Sequence, residues 1–294
     1  MLVKGPRRYR GDMVDRHRAP RRAQPRRRPD DAPVGPVPIR TGTAELRPEG
    51  PGQVTLLVNG VPSSFVDHAD PTWLEFEYMQ QMAAFVEHVT QGPLRAVHLG
   101  AGGCTMARWL DHTRPGSTQL AVEVDPVLAT LVRSWFDLPR SPALRIRVGD
   151  ARDELASLPD TSADLVIRDV FAPDVTPPRL RTVEFARDVA RVLRPGGLYL
   201  ANCADRPPLR LARSEVATFY AVFADVALVA EPGQFTGRRH GNLVLAAIHA
   251  PGSPFPLDSP GLARDLRSLP VPARLRHGAD LAGYVAGAPT LRDE

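Results

Sequence analysis

Cysteine is nearly absent from this chain. Only Cys104 and Cys203 occur in 294 residues, far apart and without Cys-x-x-Cys or Cys/His spacing. Neither a disulfide framework nor a zinc site is indicated, and no metal is expected. No apolar run approaches the roughly eighteen residues of a membrane-crossing helix, and no apolar leader segment follows the basic N-terminus. No membrane partner is expected, and the cytoplasm is the default setting. The Gly-Lys-Ser/Thr of a phosphate-cradling Walker A loop is missing too, and there is no internal repeat.

Acidic charge is scarce at one end only. Residues 1–28 hold eleven Lys/Arg and two Asp, a net of +9, within an overall charge of +4, so the remaining 266 residues carry −5. The basic balance belongs to the tail, and a nucleic-acid-binding body is disfavoured. The tail, residues 1–35, is Arg/Pro-rich with almost no apolar residues, a composition unable to bury enough surface to order itself. Removing residues 1–28 is expected to leave thermal stability unchanged, as a melting curve would show.

From residue 36 to 68 the pattern is β. Thr43–Arg47 and Val54–Val58 read as strands, and Asn59-Gly60 is the preferred pair for a tight hairpin returning through Val61–Val66. Asp70-Pro71 is read as opening a helix that carries Leu74, Tyr78, Met82, Phe85 and Val89 on one stripe. Strand signals near 95–99, 119–124, 144–148, 164–169 and 197–202 then alternate with helix signals near 104–113, 126–136, 151–157, 180–193 and 209–223. Alternation of this kind implies parallel strands with crossover helices on both faces. Arg194-Pro195-Gly196-Gly197 reads as a helix C-terminus, and strands near 226–229 and 243–248 are expected to close the sheet antiparallel. The predicted fold is α/β: a Rossmann-like domain over 69–250 with a mostly parallel seven-stranded sheet. A small N-terminal β piece precedes it, and a Pro/Gly-rich extension, 251–294, follows, partly ordered.

Three positions in this alternation carry chemistry. Ala96-Val97-His98-Leu99-Gly100-Ala101-Gly102-Gly103 runs a strand into a Gly-rich turn and a helix, which lets a ligand approach the backbone. Glu123, twenty-one residues beyond Gly102, ends the next strand and can accept bonds from two ribose hydroxyls, with Asp125 competing for that role. Asp150, in Gly149-Asp150-Ala151, can take an adenine amino group or cap the following helix. A dinucleotide reading is weakened because Thr105 stands where the third glycine belongs. The ordered set favours a sulfonium nucleoside. Asp169 ends a strand at the edge where ligands sit in such sheets, as a catalytic group or a positioning one. Cys104 opens a helix, where a thiol is activated, yet no base accompanies it. His240 lies in a charged loop and is read as merely exposed.

These motifs resemble the spermidine synthase family of polyamine aminopropyltransferases, within the class I S-adenosylmethionine-dependent methyltransferase fold. The likeness spans about residues 40–250: the Asn-Gly-Val turn, Leu74-Glu75-Phe76-Glu77-Tyr78, Val-Glu-Val-Asp, Gly-Asp-Ala, and Asp169 followed by Leu180-Arg181-Thr182-Val183-Glu184-Phe185. The resemblance implies that Gly100, Ala101 and Gly102 line the methionine-like end of decarboxylated S-adenosylmethionine or S-adenosylmethionine. Glu123 would hold the ribose, and Asp150 with Ala151 the adenine. Asp169 would accept a proton from the attacking amine, and Tyr78 and Gln80 would border the acceptor pocket. A homodimer is implied as well. The family's turn carries an Asp where this chain has Gly103, its second acid after the fourth strand falls on Ala172, and the His/Gln-Glu after its tyrosine is Met79-Gln80. Tyr78 also fits a core position, and the lost acids open two other readings, methyl transfer to a small-molecule acceptor and a nucleoside-binding relative without catalysis.

Overall fold

The computed structural model describes residues 35–171, 175–249 and 256–294. The tail up to residue 34 and Ala172 therefore lie outside the described residues. Four strands, β1 (Val37–Ile39), β2 (Gly42–Gly50), β3 (Gln53–Val58) and β4 (Val61–Asp67), form an antiparallel sheet in chain order. Asn59 and Gly60 turn β3 into β4 with φ of 53° and 77°, the left-handed pair that such a hairpin requires. The Asn59 side chain accepts from Thr43 N–H at 2.9 Å, fastening the turn to β2.

The predicted helix starts later than its stripe suggested. Asp70 spends its carboxylate on Thr72, through both the backbone N–H and the hydroxyl, and closes a turn instead. Helix α1 runs Glu77–Val89. The main domain continues through β5 (Arg95–Leu99), α2 (Thr105–Thr113), β6 (Thr118–Glu123), α3 (Pro126–Trp135), β7 (Leu144–Val148), α4 (Ala151–Ala156), β8 (Ala163–Arg168), α5 (Val183–Val192) and β9 (Leu193–Asp205). It ends with α6 (Arg210–Tyr220), β10 (Asp225–Ala230), α7 (Pro232–Phe235), β11 (Gly241–Ile248), α8 (Pro260–Ser268), β12 (Arg274–His277) and α9 (Gly278–Val285).

The second sheet has the order β12-β10-β11-β9-β8-β5-β6-β7, with parallel pairing from β9 to β7 and antiparallel pairing from β9 to β12. Among the described residues it holds eight strands, not seven. The additional one, Arg274–His277, carries three basic or His side chains in four residues and no apolar alternation; the free edge of β10 recruits it. The segment expected to be an extension thus completes the sheet. Arg194–Gly197 is also not a helix C-terminus: α5 stops at extended Leu193, and Gly196, at φ 75°, sits in a bulge where β9 slips against β8. Helices α1, α2 and α8 cover one face through Met82, Phe85, Trp109 and Leu262, and α4, α5, α6 and α9 cover the other through Leu155, Phe185, Phe219 and Leu281.

β5 is the switch point: the chain runs from it outward to β6 and β7, then returns to β8 and β9 on its other side. Crevices at such points hold ligands. Here Asp169 N–H donates to Leu99 O at 2.8 Å, so the Gly turn and Asp169 meet. The contact dictates Gly100. At φ 90°, a Cβ there would lie 2.2 Å from the Asp169 carbonyl oxygen. Gly100→Ala is expected to cost at least about 1–3 kcal/mol, measured by denaturant unfolding, because backbone cannot yield as a side chain does.

Candidate active site

A cavity of about 810 Å³ opens at this switch point, between the C-terminal ends of the parallel strands and the β3–β4 turn. That volume suits a nucleoside with an acceptor beside it. Gly100, Ala101, Gly102, Glu123, Asp150, Ala151, Asp169 and Tyr78 all line it.

Glu123 and Asp125 divide their roles by geometry. Asp125 caps α3, accepting from Val127 and Leu128 N–H at 2.9 and 3.0 Å, and accepts from the Thr41 N–H and hydroxyl of the N-terminal sheet at 2.7 and 2.9 Å. These bonds outweigh burial and hold its carboxyl below the usual range. Glu123 accepts from Asp125 N–H at 3.0 Å, from Gly102 N–H at a long 3.4 Å, and from the Ala101 backbone. Burial pushes its carboxyl up despite those bonds, and among the described residues no Lys or Arg pairs with it. A buried carboxylate with spare acceptor capacity suits the two hydroxyls of a ribose.

Asp150 caps α4 through Oδ1, which accepts from Arg152 N–H at 2.8 Å and Asp153 N–H at 3.3 Å. Arg179 adds a third partner to Oδ1 at 2.6 Å. Capping and ligand contact are compatible, because no hydrogen bond engages Oδ2 among the described residues.

At the other end of the cavity Asp169 is clamped between two donors. Tyr78 hydroxyl donates to Oδ2 at 2.9 Å and Asn202 Nδ2 to Oδ1 at 2.9 Å. Burial raises the Asp169 carboxyl, with both hydrogen bonds and the Arg168 charge opposing. Burial and the adjacent carboxylate push Tyr78 well above its ordinary value, so its hydroxyl keeps its proton. Tyr78 is thus a core residue whose hydroxyl end reaches the site. Behind it, Arg168 is fully buried, pairs with Glu215 at 2.5 Å, and donates to Leu180 O at 2.7 Å and Asn202 O at 3.2 Å.

Gln80 is not brought to the cavity. Two residues along α1 from Tyr78, it faces elsewhere and donates to Leu74 O at 2.7 Å; Glu77 lines the cavity instead. Cys104 is not activated: although it caps α2, burial pushes its thiol up to about 12. Burial likewise holds His98, below the Gly turn, down at about 4. The family's acid has no room at position 103. A Cβ there would lie 2.8 Å from Ser64 Cβ and 3.3 Å from Phe136 Cε2, and Gly103 N–H donates to Ser64 Oγ at 2.8 Å. Among the described residues no group of three or more His, Cys, Asp or Glu is placed to hold a metal ion.

Residues 97–201 match the family described as "Methyltransferase domain". A probable spermidine synthase from Corynebacterium glutamicum is similar in structure, with a TM-score of 0.82 and 39% identity over 89% of this chain and 96% of that one. The polyamine aminopropyltransferase of Vibrio vulnificus is 30% identical over 135 residues, and the match spans 45% of this chain and 44% of that relative. Thus the chain covers less than half of that curated relative's length. Human methyltransferase-like protein 13, in complex with SAH, is 25% identical with a TM-score of 0.54, over 65% of this chain and 89% of that one. Together with the Gly turn, its two strand-end acids and a clamped Asp169, these likenesses show a transferase that belongs to the spermidine synthase family, on the class I S-adenosylmethionine-dependent methyltransferase fold.

Proposed function

We propose that this protein moves an aminopropyl group from decarboxylated S-adenosylmethionine to an amine, with Asp169 as the proton acceptor. The Tyr78–Asp169–Asn202 cluster carries the reading, since it fixes a carboxylate beside the Gly turn. Glu123 accepts from the ribose hydroxyls and Asp150 Oδ2 from the adenine amino group. Gly100 and Gly102 let the sulfonium end pass close to the backbone. Asp169 takes the proton from the amine nitrogen as the new C–N bond forms; the C–S bond breaks and its electron pair leaves on sulfur. With so good a leaving group, alignment and proton removal are what the protein must supply. The likeness to a probable spermidine synthase over nearly its full length supports this reading.

One observation favours a second reading, methyl transfer from S-adenosylmethionine. Ser64 fills the space of the family's acid, so no carboxylate at position 103 repels the donor's own. A paired assay separates the two. The protein is incubated with putrescine or spermidine and either donor. Release of methylthioadenosine supports aminopropyl transfer; release of S-adenosylhomocysteine alone overturns it. Because Ser64 has displaced that acid, transfer to these two acceptors is expected to be slow.

Calorimetry with methylthioadenosine tests the binding half. Glu123→Ala is expected to weaken binding by about 1–3 kcal/mol, the loss of a buried hydrogen-bonding group. Tight binding of NAD with no heat from methylthioadenosine would overturn the nucleoside assignment.

A further inference from the structure

The chain's last residues pack against α4 and α5, behind the cavity-lining Asp150 and Arg179. Leu291 is anchored on both sides: its N–H donates to Thr218 Oγ1 at 2.9 Å and its carbonyl accepts from Val183 N–H at 2.9 Å. Asp293 N–H donates to Glu184 Oε2 at 3.0 Å, and Arg292 pairs with Glu184 at 3.4 Å. The strap thus spans the first turn of α5 and the side of α6. It presents the Asp293 carboxylate to Arg152, which grips it two-pronged through Nη1 at 2.7 Å and through Nη2.

Arg152 in turn closes a ring. Its backbone N–H donates to Asp150 Oδ1 at 2.8 Å, and its guanidinium donates to the Arg179 carbonyl at 3.0 Å. The Arg179 guanidinium returns to Asp150 Oδ1 at 2.6 Å, and reaches Asp153 at 3.1 Å. Every bond the ring makes to Asp150 falls on Oδ1. Two backbone N–H groups, of Arg152 and Asp153, and one guanidinium, of Arg179, therefore fix which carboxylate oxygen is occupied and which remains for a ligand. A fork-to-fork Arg–carboxylate pair holds direction as well as charge. Arg152 and Asp293 are both less than half exposed, where such a pair is screened less than on open surface.

We propose that Asp293 is a positioning residue for adenine recognition, acting through Arg152 and Arg179 to hold Asp150 with Oδ2 turned toward the 6-amino group. The proposal rests on the reading that Asp150 takes the adenine. Without the Asp293 brace the Arg152 guanidinium loses its two-pronged anchor, the Arg179 carbonyl loses a fixed donor, and the Arg179 guanidinium is freer to leave Asp150 Oδ1. Affinity for the nucleoside then falls chiefly through the amino-group contact.

The test compares methylthioadenosine with methylthioinosine, which carries a carbonyl oxygen where adenine has the amino group. The wild type is expected to prefer methylthioadenosine by tenfold or more. Asp293→Ala is expected to cut that preference to about a third or less, Arg152→Ala further, and Asp293→Glu to restore most of it. The ratio of two dissociation constants measured on one preparation is unaffected by a fraction of unfolded protein, so a destabilised variant still reports. An unchanged ratio in both alanine variants, or equal weakening of both ligands, overturns the proposal. A wild type that binds the two nucleosides equally overturns the Asp150 assignment beneath it, and the proposal falls with that. If the wild type discriminates and only Asp150→Ala abolishes discrimination, the assignment stands and the strap alone is refuted.

Discussion

Asp169→Asn is expected to lower transfer by about 10²–10⁴-fold while methylthioadenosine binds almost as before, the range that loss of a positioned general base costs. The substitution keeps the shape and removes the proposed proton acceptor; Glu123 and Asp150, the proposed nucleoside contacts, line other parts of the cavity. The pH profile carries the same information. Burial raises the Asp169 carboxyl above the ordinary carboxylate range near about 4. As pH falls through that raised value Asp169 takes up a proton and can no longer accept one from the amine. Activity should therefore decline on the acid side at a pH above that of an exposed aspartate, and the residual activity of Asp169→Asn should lack this limb. Single-turnover kinetics across pH would check both. Full activity in the variant would leave positioning alone as the role of Asp169.

Much of this site could be read along the chain because its first layer is local. Gly100, Glu123 and Asp150 each follow or close a strand whose run along the chain could be read, so their places at the sheet's edge were legible. What could not be read arrives from afar. Asn202 reaches Asp169 across 33 residues, Arg179 reaches Asp150 across 29, and Asp293 reaches Arg152 across 141. None of the three belongs to a pattern with a period, so no local signal marks them. Gly103 shows both sides of this: its departure from the family is visible in the sequence, but the reason, Ser64 packed onto the turn, is a contact 39 residues distant. The eighth strand escaped for a related cause. Arg274–His277 has no alternation to betray it, because its place depends on the open edge of β10. The early start assigned to α1 failed differently, where the Asp70 side-chain turn competed with helix for the same backbone groups.

The other large effect lies behind the site, in the ion pair of Arg168 and Glu215. Both side chains are fully buried. Opposite charge from Glu215 raises the Arg168 guanidinium further against the desolvation that lowers it, so its charge persists at every working pH. Glu215→Ala leaves that charge without its partner in the core and is expected to destabilise the fold by about 3–5 kcal/mol in a denaturant titration. Replacing both partners, Arg168→Met with Glu215→Leu, removes the stranded charge and should recover most of the loss. Activity should not follow stability in that double variant. Arg168 also donates to the carbonyls of Leu180 and Asn202, and Asn202 is the residue that holds Asp169 Oδ1. A methionine supplies none of these donors. The double variant is therefore expected to fold well and transfer poorly, with nucleoside affinity little changed, since neither partner touches the nucleoside end. Recovery of stability and activity together would mean that the pair serves the core alone and that Asn202 keeps its place without it.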